Sequence, residues 1–221
     1  MKSLWISRSL AGAGPCLAVA VLALCVGGAA AQNPFVDATK PDPAAQKPEP
    51  PGAAAIVRAF VEGCVVNEGD PVTATDWALN EGFLPIDPLS DEPKQLLNGQ
   101  PGTVLSMPGS GGQVLMAVAA DRRCTVWTER ALGPGVRNAL RQSMADLAAK
   151  GAQVQPLVDR SIERAGAWRQ YEQMRYRRVG GAQDFAVASV TTLTSRPGVQ
   201  ALNFGPYAAG PARDPDGLQN R

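Results

Sequence analysis

Apolar residues recur along the chain first with a helical and then with an alternating period. Ile56, Phe60 and Cys64 are spaced by four residues, which places them on one stripe of a helix predicted over residues 53–66. Asp70 followed by Pro71 is typical of a helix start. The pattern predicts three more helices, each followed by or ending at a glycine: residues 72–81, 91–98 (capped by Ser90) and 133–151.

The alternating stretches predict an antiparallel sheet. Residues 102–108 and 113–120 are joined by Gly-Ser-Gly-Gly, which favours a hairpin over a phosphate-binding loop because no lysine follows. A third strand, residues 124–130, places Cys124, Val126 and Thr128 on one side. Three further strands are predicted at residues 154–164, 167–179 and 183–194. We therefore expect an α+β domain, its N-terminal helices first, with helices packed on about six strands in two three-stranded meanders.

The first residues of the chain have the pattern of an export signal. Lys2 and Arg8 precede an uncharged run that ends in three alanines, which predicts a signal peptide over residues 1–31, cleaved after Ala31. An uncleaved membrane anchor and a lipoprotein acylated at Cys25 are the alternatives. Residues 32–51 are rich in proline and alanine and predict a flexible linker, and residues 205–221 predict a disordered tail. One domain, residues 52–204, is left between them.

Composition excludes several classes of function. Removing the leader takes away two basic side chains and no acid, so 19 basic and 20 acidic side chains remain. A nearly neutral chain gives no overall attraction to nucleic acid, and we expect membrane contact only through the signal peptide. The sequence contains no histidine, so a serine or cysteine nucleophile activated by imidazole is excluded, and no cofactor or metal site is expected.

Only two cysteines, Cys64 and Cys124, lie outside the predicted leader. In an oxidising compartment an even number of cysteines favours a disulfide over two buried thiols. Closing a loop of about 60 residues stabilises a fold by roughly 4 kcal/mol in the chain-entropy model. We therefore predict that Cys64 links the first helix to the third strand.

An arginine-rich segment, residues 159–178, is the most suggestive for binding. On the strand predicted over 167–179, one face carries the candidate partner surface of Arg169, Tyr171, Arg175 and Arg177. The other face carries Trp168, Met174 and Tyr176, which we assign to the core. Arginine binds carboxylate and phosphate in a bidentate manner, so this surface could bind an unknown protein or an anionic ligand. The alternative interpretation is a solvated sheet face with charge pairs to Glu163, Glu172 or Asp184.

A second cluster of charge, formed by Asp87, Asp91 and Glu92, lies at the start of the helix predicted over 91–98. Such acids could act in catalysis or bind calcium, but the spacing of a calcium-binding loop is absent. Acids at a helix start interact favourably with the helix dipole, which is the simpler interpretation.

The leader and three short segments, "FVEGC", "WALNEGF" and "RRCTVW", resemble a group of uncharacterised exported proteobacterial proteins with two cysteines. The resemblance covers about residues 55–195 and implies a small, exported, disulfide-bonded domain, but it implies no activity and no catalytic residues. The first functional hypothesis is therefore a non-enzymatic periplasmic or secreted binding or accessory protein. The alternative is an enzyme that uses carboxylates alone on cell-wall or carbohydrate substrates.

Overall fold

The fold is taken from a computed structural model that describes residues 51–110, 113–164 and 166–208. The helices of this part are α1 (Ala53–Phe60), α2 (Pro71–Asn80), α3 (Asp91–Leu97) and α4 (Gly133–Ala149), and a π-helical turn, Val61–Val65, continues α1. The strands are β1 (Leu84–Pro85), β2 (Gly102–Ser106), β3 (Val114–Ala119), β4 (Cys124–Ala131), β5 (Gln153–Arg164), β6 (Ala167–Arg177), β7 (Phe185–Thr192) and β8 (Gly198–Pro206). The predicted leader and most of the predicted linker and tail lie outside the described residues.

The strands form a single antiparallel sheet in the order β1-β2-β3-β4-β8-β7-β6-β5. The α+β class is confirmed, but the prediction of about six strands is wrong, because the described sheet has eight. The two predicted meanders are present, and each contains one strand more than the three that were predicted. They meet where β8 pairs with β4, with Cys124 opposite Phe204 and Val126 opposite Leu202.

Strand β8 lies in the middle of the sheet, although no element was predicted between residue 194 and the tail. Its flanks, Pro197-Gly198 and Gly205-Pro206, have the composition of loops, which concealed the alternation of Gln200, Leu202 and Phe204. All three of these side chains are buried. The predicted start of the tail at residue 205 is therefore too early, because β8 continues to Pro206.

Helices cover the two faces of the sheet to different extents. The main core lies on one face, where α1, α2 and α4 pack on residues such as Met116, Val126 and Val187. The apolar residues Val136, Leu140 and Met144, spaced at helical intervals along α4, are buried there. A smaller cluster on the other face joins Val104, Leu115 and Ala117 to α3. This second face is covered only over β2 and β3 by the described helices.

The predicted disulfide is confirmed: Cys64 is bonded to Cys124, with 5.5 Å between their Cα atoms. Both cysteines are fully buried, so the bond joins the helical layer to the first residue of β4 inside the core. The predicted single helix over 53–66 is not a uniform α-helix, because a π-helical turn contains Cys64. In that turn Gly63 packs closely: a Cβ atom there would lie 2.8 Å from side-chain atoms of both Met116 and Trp77.

Local signals at the helix ends are partly confirmed. The Asp70 side chain accepts hydrogen bonds from the backbone N–H groups of Val72 and Thr73, at 3.2 and 3.0 Å, as the predicted cap requires. Trp77 packs on Phe83 with ring centroids 5.9 Å apart. Ser90 is different, because its hydroxyl donates to the Asp87 carbonyl and makes no cap hydrogen bond to α3.

Strand β6 contains the main error in the predicted core. Tyr176 is buried and Met174 packs against the core, but Trp168 is 61 % exposed. The three side chains share a face by alternation, yet Trp168 precedes Arg169, which pairs with the last residue of β7, Thr192. Trp168 therefore lies beyond the end of the helix-covered sheet, on the hairpin formed by β5 and β6.

Candidate functional site: one end of the sheet

The four residues of the predicted partner surface share a strand face but have different surroundings. At one end, Arg177 donates to both carboxylate oxygens of Asp184, over 2.7 and 3.0 Å. This ion pair raises the pKa of Arg177 and lowers the pKa of Asp184. Arg175 donates to Gln155 and lies 3.8 Å from the same aspartate. Here the structure agrees with the charge-pairing interpretation.

Tyr171 contributes packing more than exposed surface, because it is 5 % exposed. Strand register places it in a row with Arg160 on β5 and Val190 on β7. The row continues across β8 at Ala201 to Trp127 on β4. The side chain thus lies within a partly covered row of the second sheet face.

Arg169 is placed at the other end of β6 from Arg175 and Arg177. Its guanidinium donates to the Val199 carbonyl at 3.4 Å, and it forms no ion pair within the described residues. Of the four predicted residues, Arg169 is thus the cation that keeps its charge available for a partner.

Three other arginines at this end of the sheet also form no ion pair within the described residues. Here β4, β5 and β7 end, and β6, β8 and α4 begin, as the pairings Ala131–Gly198 and Arg169–Thr192 show. We define the rim as two sets of side chains at this end of the sheet. The first set is four arginines without an ion pair in the described part of the chain: Arg130, Arg164, Arg169 and Arg196. The second set is four exposed apolar side chains: Leu132, Trp168, Leu193 and Val199. Two exposed acids, Glu129 and Glu163, lie nearby but bind none of these arginines. The rim is therefore both cationic and apolar.

Gln200 holds the segments that carry the rim. This side chain is 1 % exposed, and its amide donates to the carbonyls of Ala131 and Gly198 and to the Thr192 hydroxyl, at 2.8, 2.9 and 3.0 Å. Its carbonyl oxygen accepts from the Thr192 N–H at 2.8 Å. The ends of β4 and β7 and the start of β8 are thus tied by one buried amide. The sequence alone did not identify Gln200 as a core residue, although a glutamine in phase with Leu202 and Phe204 could have indicated it.

A glycine brings α4 against the same end of the sheet. A Cβ atom at Gly133 would lie 2.1 Å from the Thr192 carbonyl oxygen. Since that oxygen belongs to backbone, a larger residue could be accommodated only by moving the helix away. The first turn of α4 is consequently fixed beside the rim.

An acid pair lies on the helix-covered face, away from the rim. Asp159 and Glu172 are opposite each other on β5 and β6, and Arg141 of α4 binds both carboxylates. Glu172 is 4 % exposed, and its Oε2 atom has no hydrogen-bond partner in the described residues. Burial raises the pKa of Glu172 above its usual range, although Arg141 opposes this shift.

Replacing Glu172 tests this balance. A raised pKa in the folded state means that the glutamate favours folding at low pH and that this contribution is lost as the pH rises. We expect Glu172→Gln to stabilise the protein at neutral pH and to lose this advantage near pH 4, about the ordinary pKa of glutamate. Urea unfolding at both pH values measures the difference, with the exposed Glu163→Gln as control. A variant that is less stable than the wild type at neutral pH would contradict the assignment.

The other polar features have structural explanations. A hollow of about 320 Å³ lies beside the end of α4 and the start of β5, and Arg175, Arg177 and Asp184 line it. The acids before α3 bind locally: Asp87 accepts from the Leu89 N–H at 2.9 Å, and Asp91 lies 3.7 Å from Lys94. Among the described residues, no group of three or more cysteine, aspartate or glutamate side chains could hold a metal ion.

No helix in the described ranges is both long and apolar enough to span a bilayer. No family model matches the chain, and no curated protein matches it.

Proposed function

We propose that this chain is an exported, non-enzymatic binding or accessory protein whose rim contacts an anionic protein or ligand. The observation that carries the proposal is the unequal pairing of arginines at the two ends of the sheet. At the rim, four arginines have no ion pair among the described residues and stand beside exposed apolar side chains. Guanidinium groups that form no internal ion pair can bind a carboxylate or a phosphate without first breaking such a pair.

The opposite end supplies the comparison. There four of the five arginines form ion pairs, for example Arg177 with Asp184 at 2.7 Å and Arg178 with Glu68 at 3.2 Å. The fifth, Arg122, donates instead to the side chain of Gln183. Exposed pairs of this kind contribute about 0–1 kcal/mol each, but they neutralise the local charge. The chain is nearly neutral as a whole, and its paired charges are concentrated away from the rim. Net charge alone therefore understates the attraction of the rim for an anion.

Export is supported by two features of the chain. The first residues have the charge and apolar pattern of a signal peptide. The disulfide between Cys64 and Cys124 is of a type that persists in oxidising compartments such as the periplasm. The proposal therefore places the rim outside the cytoplasm after removal of residues 1–31.

The acid pair gives the enzymatic alternative little support. A carboxylate hydrolase needs two acids that face a substrate cleft. Asp159 and Glu172 face each other, but Arg141 binds both, and Glu172 is buried beneath α4. A substrate could reach Glu172 only if the helix moved.

Affinity capture from a periplasmic extract tests the proposal with matched variants. We expect the wild-type chain to retain a partner that the double variant Arg164→Gln/Arg169→Gln loses by more than about tenfold, since two charge-assisted contacts contribute about 1.5–3 kcal/mol each. Arg178→Gln, which removes an arginine at the opposite end, should capture as well as the wild type. Equal capture by all three proteins, or saccharide turnover with no rim-dependent partner, would overturn the proposal.

A further inference from the structure

We propose that the anionic partner of the rim is the surface of a phospholipid bilayer with anionic headgroups. This inference rests on the proposed function, because it specifies the partner of the same surface. It departs from the expectation that membrane contact is confined to the leader. That expectation used the net charge of the chain, whereas the rim concentrates unpaired cations at one end.

The distribution of the rim's apolar side chains over separate segments favours a bilayer over a peptide. Its apolar side chains come from separate segments: Trp168 from the β5–β6 hairpin, Leu193 from the loop after β7, and Leu132 from the β4–α4 junction. Peptides are usually bound in a groove or pocket, or along a sheet edge. The described hollow lies at the other end of β5 and β6, beside Arg175 and Arg177. Apolar side chains on neighbouring tips can instead enter a planar interface together.

The residue types of the rim also suit a lipid interface. Tryptophan has an apolar ring with one polar N–H group, and it is enriched where hydrocarbon meets headgroups. Arginine can place its aliphatic stem among the lipid chains while its guanidinium remains at the phosphates. Every residue from 193 to 197 is exposed, so the loop that carries Leu193 and Arg196 can reach such a surface. Trp168 would then provide the main apolar anchor.

Because the rim is cationic, we expect it to bind a bilayer whose lipid headgroups are anionic. A basic side chain close to an anionic bilayer contributes about 1 kcal/mol, which corresponds to a change of about fivefold in binding. The attraction falls off within about 10 Å at 0.1 M salt, so only cations at the contact surface contribute. Arg178 follows the far end of β6, nine residues of extended strand from Arg169, and pairs with Glu68, so it lies outside that range when the rim faces the lipid.

Vesicle co-sedimentation tests the inference with protein purified from the periplasm. We expect binding to vesicles of phosphatidylglycerol and phosphatidylcholine in equal parts, and weaker binding to phosphatidylcholine alone. Arg164→Gln/Arg169→Gln should weaken binding to the anionic vesicles by about 25-fold, from two fivefold losses. Trp168→Ala should weaken it by about tenfold through lost apolar burial. Arg178→Gln is the matched control and should bind like the wild type.

A fold control accompanies each variant, namely an unchanged circular dichroism spectrum and midpoint of thermal unfolding. Arg196→Gln provides a second rim variant in an exposed loop if the double variant fails to fold, and it should lose about fivefold. Equal binding by the rim variants and Arg178→Gln, or no binding to anionic vesicles, would overturn the lipid inference. If the rim nevertheless captured an acidic protein or a second copy of the chain, the proposed function would stand with a different partner. If rim-dependent capture also failed, both proposals would be overturned.

Discussion

Replacing Cys64 and Cys124 together with alanine should lower the free energy of unfolding by about 4 kcal/mol. The two cysteines are 60 residues apart, so their bond restricts a long loop in the unfolded chain. A loss of this size is a large share of the roughly 5–15 kcal/mol that stabilises a typical domain. Urea unfolding of the double variant and of the oxidised wild type gives the difference directly.

The position of the bond predicts how it will respond to reductant. Both sulfur-bearing residues are fully buried between the helical layer and β4. A thiol reagent should therefore reduce the wild type slowly in native buffer and rapidly in urea. A double alanine variant as stable as the oxidised wild type would contradict the stabilising role, as would two alkylatable thiols in the native, unreduced protein.

Local patterns in the sequence were sufficient to predict the helices and most of the strands. Asp70 and Pro71 define the start of α2 by their own chemistry, and the stripe of Val136, Leu140 and Met144 defines the buried side of α4. Alternation also assigned Cys124 and Val126 correctly to the core face. In each case the informative residues lie close together in the sequence, so the element can be recognised without knowledge of the tertiary fold.

The central strand and the π-helical turn depended on distant contacts. β8 is defined by pairing with β4 and β7, and its sequence neighbours look like loops. The turn around Cys64 inserts an extra residue into a helix that packs through Gly63 on Met116 and Trp77. A periodicity of 3.6 residues cannot reveal such an insertion, because the stripe of Ile56, Phe60 and Cys64 looks continuous.

The candidate surface shows the same division between local and non-local information. Alternation placed Arg169 and Arg175 on one face correctly, but it gave no information on whether each would meet an acid. Asp184 is seven residues from Arg177 along the chain and binds it across a strand connection. Trp168 was assigned to the core because alternation identifies a face without showing how far the helical layer extends. The rim became visible only when both the pairing and the end of β7 were known.

Gln200→Met should destabilise the protein by about 3 kcal/mol, although methionine has a similar length. The substitution leaves the Thr192 N–H and the Ala131 carbonyl without their present partner inside the fold. A buried polar group that loses its hydrogen bond costs about 1–3 kcal/mol. Urea unfolding measures the change, and hydrogen exchange at the Thr192 amide should show where it occurs.

A matched substitution separates the hydrogen bonds of Gln200 from general packing of β8. Leu202→Met changes a buried side chain on the same strand face without orphaning a polar group, so it should cost less than about 1.5 kcal/mol. Because Gln200 ties together the segments that carry Leu132, Leu193 and Val199, its replacement should also weaken anionic vesicle binding at a temperature where both variants remain folded. Equal effects of the two substitutions on stability and binding would mean that the buried amide does not organise the rim.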